Sequence, residues 1–198
     1  MRNAIIRSAA LAAFACAATF AQNSDLGLLL GASVRNSAVV SPGRIEGSVS
    51  AGFQINYAVQ LHEAAAGRLY LELPLMISND TRGVISTSIS SSSSTTVFFT
   101  PGVRFHHTVH PRVALYAAAG GGLASLEGKV STLGPGLLSA RADRANSAAF
   151  GFGAGLDFRV TRLISIRAEG RDFVTRAGLG GERGRNHPFF TVGVGFHF

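Results

Sequence analysis

Few residues in this sequence stand where they could do chemistry. A hydrolytic serine needs a base within hydrogen-bonding reach and a third group to orient that base. The chain has no Gly-x-Ser-x-Gly turn, and no run carries His and Ser two apart beside a facing carboxylate. His106, His107 and His110 cluster, yet their spacing matches no usual metal site and Pro111 follows as a turn residue, so they read as a polar turn. Gly120-Gly121-Gly122 and the series Gly151, Gly153, Gly155 lack the third-glycine spacing of a nucleotide loop and fall within strand-like runs. What remains is a set of charges embedded among small or apolar neighbours: Arg35, Arg104, Arg159, Arg167 and Arg171 against Glu46, Glu72, Asp157 and Glu169. Near-balance is what an enclosed ion-pair network needs, because an unpaired charge away from water is costly and arginine's fork of donors bridges carboxylates well. We expect no catalytic residues, no metal and no cofactor.

The elements that would hold these charges are strands. Asp25 to Arg35 alternates Leu26, Leu28, Leu30, Ala32 and Val34 with Gly27, Leu29, Gly31, Ser33 and Arg35. The same two-residue period, which puts successive side chains on opposite faces, runs through Ile45 to Tyr57, Arg68 to Ile77, Val97 to His106 and Val113 to Leu123. It continues in Phe150 to Arg159, Leu163 to Phe173 and the last ten residues. That ending sets Phe190, Val192, Val194, Phe196 and Phe198 on one face against Thr191, Gly193, Gly195 and His197 on the other. Eight strands result. Pro74 and Pro101 fall inside two of them, each removing a ladder donor, and bulges are expected there.

Connector lengths alternate. Those after strands two, four and six are short, including Thr161-Arg162; those after one, three, five and seven are long, at 36–44, 78–96, 125–146 and 174–187. Short turns at one end and long loops at the other are what a transmembrane barrel shows. The serine-rich run Ser86 to Thr96 is expected to be loop. An eight-stranded barrel could also be a soluble cup, so the sign of the alternation decides. A solvated outer face would carry many charges, whereas here charged residues are only 15% of the chain and sit on the small, crowded face. The apolar face therefore points to lipid.

Residues 1–21 have the parts of a secretory signal, with Arg2 and Arg7 ahead of an apolar core and Ala21 before Gln22; residues 22–198 form the barrel domain. No later segment reaches the roughly 18 to 20 apolar residues of a spanning helix. Without Arg2 and Arg7, 16 basic residues stand against 11 acidic ones, a net of +5. The arginines are scattered and Lys129 is the one lysine, so nucleic acid is not the partner. Basic loops bearing Arg44, Arg141, Arg144, Arg176, Arg183 and Arg185 suit anionic lipopolysaccharide instead.

Leu71-Glu72-Leu73-Pro74-Leu75, Thr100-Pro101-Gly102-Val103-Arg104-Phe105, Gly153 to Arg159, Ile166 to Phe173 and the terminal Phe198 together resemble the small outer-membrane β-barrel domain family related to the OmpA N-terminal barrel and OmpX. The resemblance implies an all-β, eight-stranded, antiparallel up-and-down transmembrane barrel in the outer membrane. It also implies that Phe190, Val192, Val194, Phe196 and Phe198 form the signal read by the barrel insertion machinery. The work expected is structural or surface-interacting, through long loops touching outer-membrane lipid, lipopolysaccharide or an external partner. A narrow channel for small solutes is the alternative.

Overall fold

The computed structural model describes residues 23–34, 39–40, 43–44, 49–85, 89–134, 137–177 and 183–198. The expected signal segment lies outside them, as do Arg35 and Glu46. The strands are β1 (Ser24–Val34), β2 (Val49–Ala64), β3 (Gly67–Ile85), β4 in two pieces (Ile89–Phe99 and Gly102–His110), β5 (Val113–Gly134), β6 (Leu137–Arg159), β7 (Ile164–Ala177) and β8 (Arg183–His197). A short ribbon pairs Val39–Val40 with Gly43–Arg44.

Each strand pairs antiparallel with its neighbour in sequence, and β1 pairs with β8 from Asp25↔His197 to Ala32↔Phe190. The sheet closes on itself as an eight-stranded barrel, the architecture expected. Closure leaves no edge strand around the belt. The alternation reads as predicted: Leu30, Leu71, Val103, Phe152, Ile166 and Phe190 are exposed on the outside, whereas Gln54, Glu72, Arg104, Arg167 and Thr191 are buried inside.

Three expectations are corrected. First, the strands outrun the apolar belt. β5 and β6 remain paired from Val113↔Phe158 to Gly134↔Leu137, and Ile89–Phe99 pairs with both β3 and β5, so 78–96 and 125–146 are largely strand. The expected serine-rich loop is therefore strand from Ile89 onward. Serine and threonine carry the same backbone donor and acceptor as valine, so the ladder can continue where the outward side chains stop being apolar. Second, Pro74 carries no bulge: β2 and β3 keep register through Ile55↔Leu75, Asn56↔Pro74 and Tyr57↔Leu73. Third, Pro101 marks a gap without a shift. Leu75 pairs with Phe99 and Glu72 with Gly102, so Pro74 and Pro101 face the same interruption in the β3–β4 ladder. Two residues lacking an N–H are concentrated at one spot, where Gly121 N donates to Pro101 O at 3.1 Å from the other side. The register shifts of these ladders lie between Gln60 and His62 and between Thr108 and His110, near the short turns.

Candidate functional site

The barrel interior divides into a charged layer near the short-turn end and an apolar layer above it. Arg167, on β7, is the centre of the first. Its Nε and Nη2 donate to Asp157 at 2.7 and 2.9 Å, and its Nη1 and Nη2 to Asp25 at 3.0 and 2.8 Å. The side chain has no accessible surface. Arg171, two positions along the same inward face, donates to Glu72 at 2.8 Å and Glu169 at 2.6 Å. Glu169 also accepts from Tyr116 Oη at 2.6 Å, Gln54 Nε2 at 2.8 Å and Asn56 Nδ2 at 3.3 Å. Planar guanidinium forks meeting carboxylates in a water-poor space are the strong form of the ion pair.

Arg104 is held less fully. Its Nη2 lies 3.0 Å from Asp25 Oδ1, but its Nη1 is 3.8 Å from Glu72 Oε1, too long for a hydrogen bond, so Arg104 Nε and Nη1 and Glu72 Oε1 have no hydrogen-bond partner among the described residues. The guanidinium instead lies over the rings of Tyr70 and Tyr116, at 5.1 and 5.3 Å from their centroids. Three guanidiniums thus face the four carboxylates of Asp25, Glu72, Asp157 and Glu169. His106 and His197 stand beside this acidic excess, with His106 Nε2 at 3.4 Å from Asp157 and His197 Nδ1 at 3.0 Å from Asp25.

His197 completes a chain that the sequence search did not find. Its Nε2 is 2.9 Å from Ser165 Oγ while its Nδ1 faces Asp25, the connectivity of a hydrolytic triad assembled from β7, β8 and β1. Two features distinguish this chain from an exposed triad. Ser165 has no accessible surface, and Asp25 is already engaged by Arg104 and Arg167. Ser165 Oγ also reaches Asp157 Oδ1 at 3.3 Å. The chain is a latch across the seam where first and last strands meet.

Above the charges lies an apolar plug of Met76, Phe98, Ala124, Leu126, Ala149, Phe173 and Phe189. Phe98 and Phe173 stack with centroids 4.5 Å apart, and Phe189 meets both edge-on. Small residues on the inward face make the room. At Gly155 a methyl group would collide with the ring and hydroxyl of Tyr116, which must lie there to reach Glu169.

Of the charges singled out on sequence, Glu72, Arg104, Asp157, Arg167, Glu169 and Arg171 come together. Arg159 does not: it is half-exposed at the short-turn end, lines a small cavity of about 20 Å³ with His106 and Arg112, and joins no ion pair among the described residues. Asp25, Tyr116, His106 and His197 were missed as network members. Extending the β1 parity by one step would have reached Asp25, and Tyr116 and Phe98 already stood on the inward parity. Phe190, Val192, Val194 and Phe198 are exposed on the outer surface and Phe196 is half-exposed.

The arginines expected on loops fall on strand extensions or the short ribbon. Arg144 is exposed and pairs with Glu127 at 3.3 Å, and Arg176 is exposed near the end of β7. Arg44, Arg141, Arg183 and Arg185 lie in strand segments whose side chains are outside the description. Among the described residues no group of His, Cys, Asp and Glu could hold a metal ion, and no helix is long and apolar enough to cross a membrane.

A family model described as outer membrane protein beta-barrel domain matches residues 8–198. No curated protein matches the chain. Among solved structures, the outer membrane protease OmpT of Escherichia coli is 9% identical with a TM-score of 0.57, over 90% of this chain and 97% of that one. The attachment invasion locus protein Ail of Yersinia pestis is 16% identical with a TM-score of 0.49, over 89% and 97%. Neisserial surface protein A is 13% identical with a TM-score of 0.49, over the same shares. At these identities the likeness to OmpT is one of fold.

Proposed function

The chain belongs to the outer membrane protein beta-barrel domain family, and from that premise we propose that it is a non-enzymatic surface-interaction barrel whose long-loop end contacts lipopolysaccharide or an external partner. It is an outer-membrane protein. In this reading residues 1–21 direct export and are removed, the outward aromatic face of β8 is recognised by the insertion machinery, and the long-loop end faces outside.

The observation that carries the proposal is the filled interior. Side chains lining an open bore would be wetted, yet Arg104, Arg167, Phe98 and Phe173 have no accessible surface. An eight-stranded barrel is just wide enough for its side chains to fill it. With the inside occupied and the belt given to lipid, the surface left for recognition is the rim where the β3–β4 and β5–β6 hairpins extend beyond the belt.

The test compares the intact barrel with a variant in which Arg141, Arg144 and Arg183, on the strand extensions, become serine. Binding to vesicles containing lipopolysaccharide, against phospholipid vesicles alone, should fall in the variant while faster migration of the unboiled protein on gels persists. Unchanged binding would end the rim reading. Steady conductance of the intact protein in a planar bilayer would transfer the proposal to the narrow-channel alternative.

A further inference from the structure

The outer wall carries a groove of about 450 Å³ across β6, β7 and β8, lined by Phe152, Ala154, Gly170, Asp172, Pro188 and Phe190. That volume is within the range of small-molecule sites, and the groove arises from two adjoining outward rows. In one, Gly170 pairs with Ala154 on one side and Phe190 on the other; in the next, Asp172 pairs with Phe152 and Pro188. The small row forms a floor between two phenylalanines. Gly170 is not small because the wall demands it, since a Cβ there would meet only the Phe190 ring at 3.5 Å, an ordinary contact.

The groove has a polar end. Pro188 supplies no N–H, and Asp172 turns its Oδ1 back to accept the His187 N–H at 2.9 Å. Oδ2 accepts no hydrogen bond among the described residues. A carboxylate on the outward face of a membrane barrel is disfavoured unless it is paired or lies near the interface. Farther along the same outward face of β7, beyond Val174, stands exposed Arg176, four residues and about 13 Å from Asp172 along the strand. Toward the short turns that face continues as Ala168, Ile166 and Ile164. The surface therefore reads, toward the long-loop end, as apolar groove, hydrogen-bond acceptor, cation.

We propose that this strip is a binding site for one outer-leaflet glycolipid, its acyl chain in the Ala154–Gly170 groove, a hydroxyl or amide N–H near the chain's root donating to Asp172, and its phosphate at Arg176. The order of the three features is the order of groups in such a lipid. An ordinary diacyl phospholipid fills the groove equally well, but between its acyl chains and its phosphate it has only ester oxygens, which cannot donate to Asp172. The inference rests on the reading that the long-loop end faces lipopolysaccharide, and it assigns that contact to one face of the wall.

The test uses the full-length mature barrel, extracted from outer membranes in mild detergent, with retained lipid identified by native mass spectrometry. The wild-type protein should keep one lipopolysaccharide. Gly170→Leu, which fills the floor, should lower occupancy about tenfold or more, and Asp172→Ala with Arg176→Ser should shift retention toward phospholipid. Ala168→Leu, on the same face but outside the groove, should change nothing, and migration of unboiled samples reports folding of each variant. If Gly170→Leu keeps its lipopolysaccharide while the rim variant loses it, the groove is overturned and the rim reading stands. If neither loses it, both fall. Retention of phospholipid alone by the wild type, lost on Gly170→Leu, overturns the assignment of the polar strip to a glycolipid.

Discussion

Arg167 shows how one side chain can make a sequence intolerant of change. It makes hydrogen bonds to two carboxylates from strands far apart in the chain, and its removal leaves Asp157 without its guanidinium partner and Asp25 with Arg104 as its one remaining guanidinium, in a space that water does not reach. We predict that Arg167→Met lowers stability by about 3–5 kcal/mol, read from urea unfolding in phospholipid vesicles. Adding Asp25→Asn and Asp157→Asn should recover most of that loss, because the penalty comes from stranded charge more than from missing attraction. A triple variant as unstable as the single one would refute this. Ser165 supplies a second test at the same scale. A fluorophosphonate probe should leave it unlabelled in the folded barrel, and labelling that disappears in Ser165→Ala would establish a working nucleophile and end the non-enzymatic reading.

At the scale of the strand, the two faces were legible in the sequence and the strand ends were not. Period-two alternation assigned Leu73 outward and Glu72 inward, and the coordinates agree. Alternation stops carrying information once both faces are polar, which is why Ile89 to Thr96 looked like loop although every residue there has ladder partners on both sides. Within the interior, parity revealed which residues face in but not which of them meet. Asp25 and Arg167 are 142 positions apart, and only closure of the barrel sets them side by side. Leu73→Arg, in the middle of the outward run from Leu69 to Ile77, should cost about 2–4 kcal/mol if introduced alone; tolerance equal to that of a rim position would contradict the facing assignment. Gly155→Ala should cost about 1–3 kcal/mol through overpacking against Tyr116. A near-ultraviolet circular dichroism change confined to tyrosine would accompany it, and silence there would mean that Tyr116 is not held as described.

For the whole molecule, the plug and the charge layer act in series, so removing one should not open the barrel. We expect no steady conductance from the wild type in planar bilayers, and none from Phe98→Ala with Phe173→Ala, because Arg104, Arg167 and Arg171 still cross the bore below. A stable open state in that double variant would show that the charged layer does not seal. The seam gives this closed architecture a consequence in time. Asp25 belongs to the first strand and His197 to the last, and Asp25 gathers His197, Arg104 and Arg167 only when the ends meet. The electrostatic reward is withheld until the final contact, and once made it is lost only by breaking several buried pairs together. Such a molecule should be slow to finish and slower to undo: a late, cooperative closing step, followed by a native lifetime set by the height of an unfolding barrier more than by the depth of the equilibrium well.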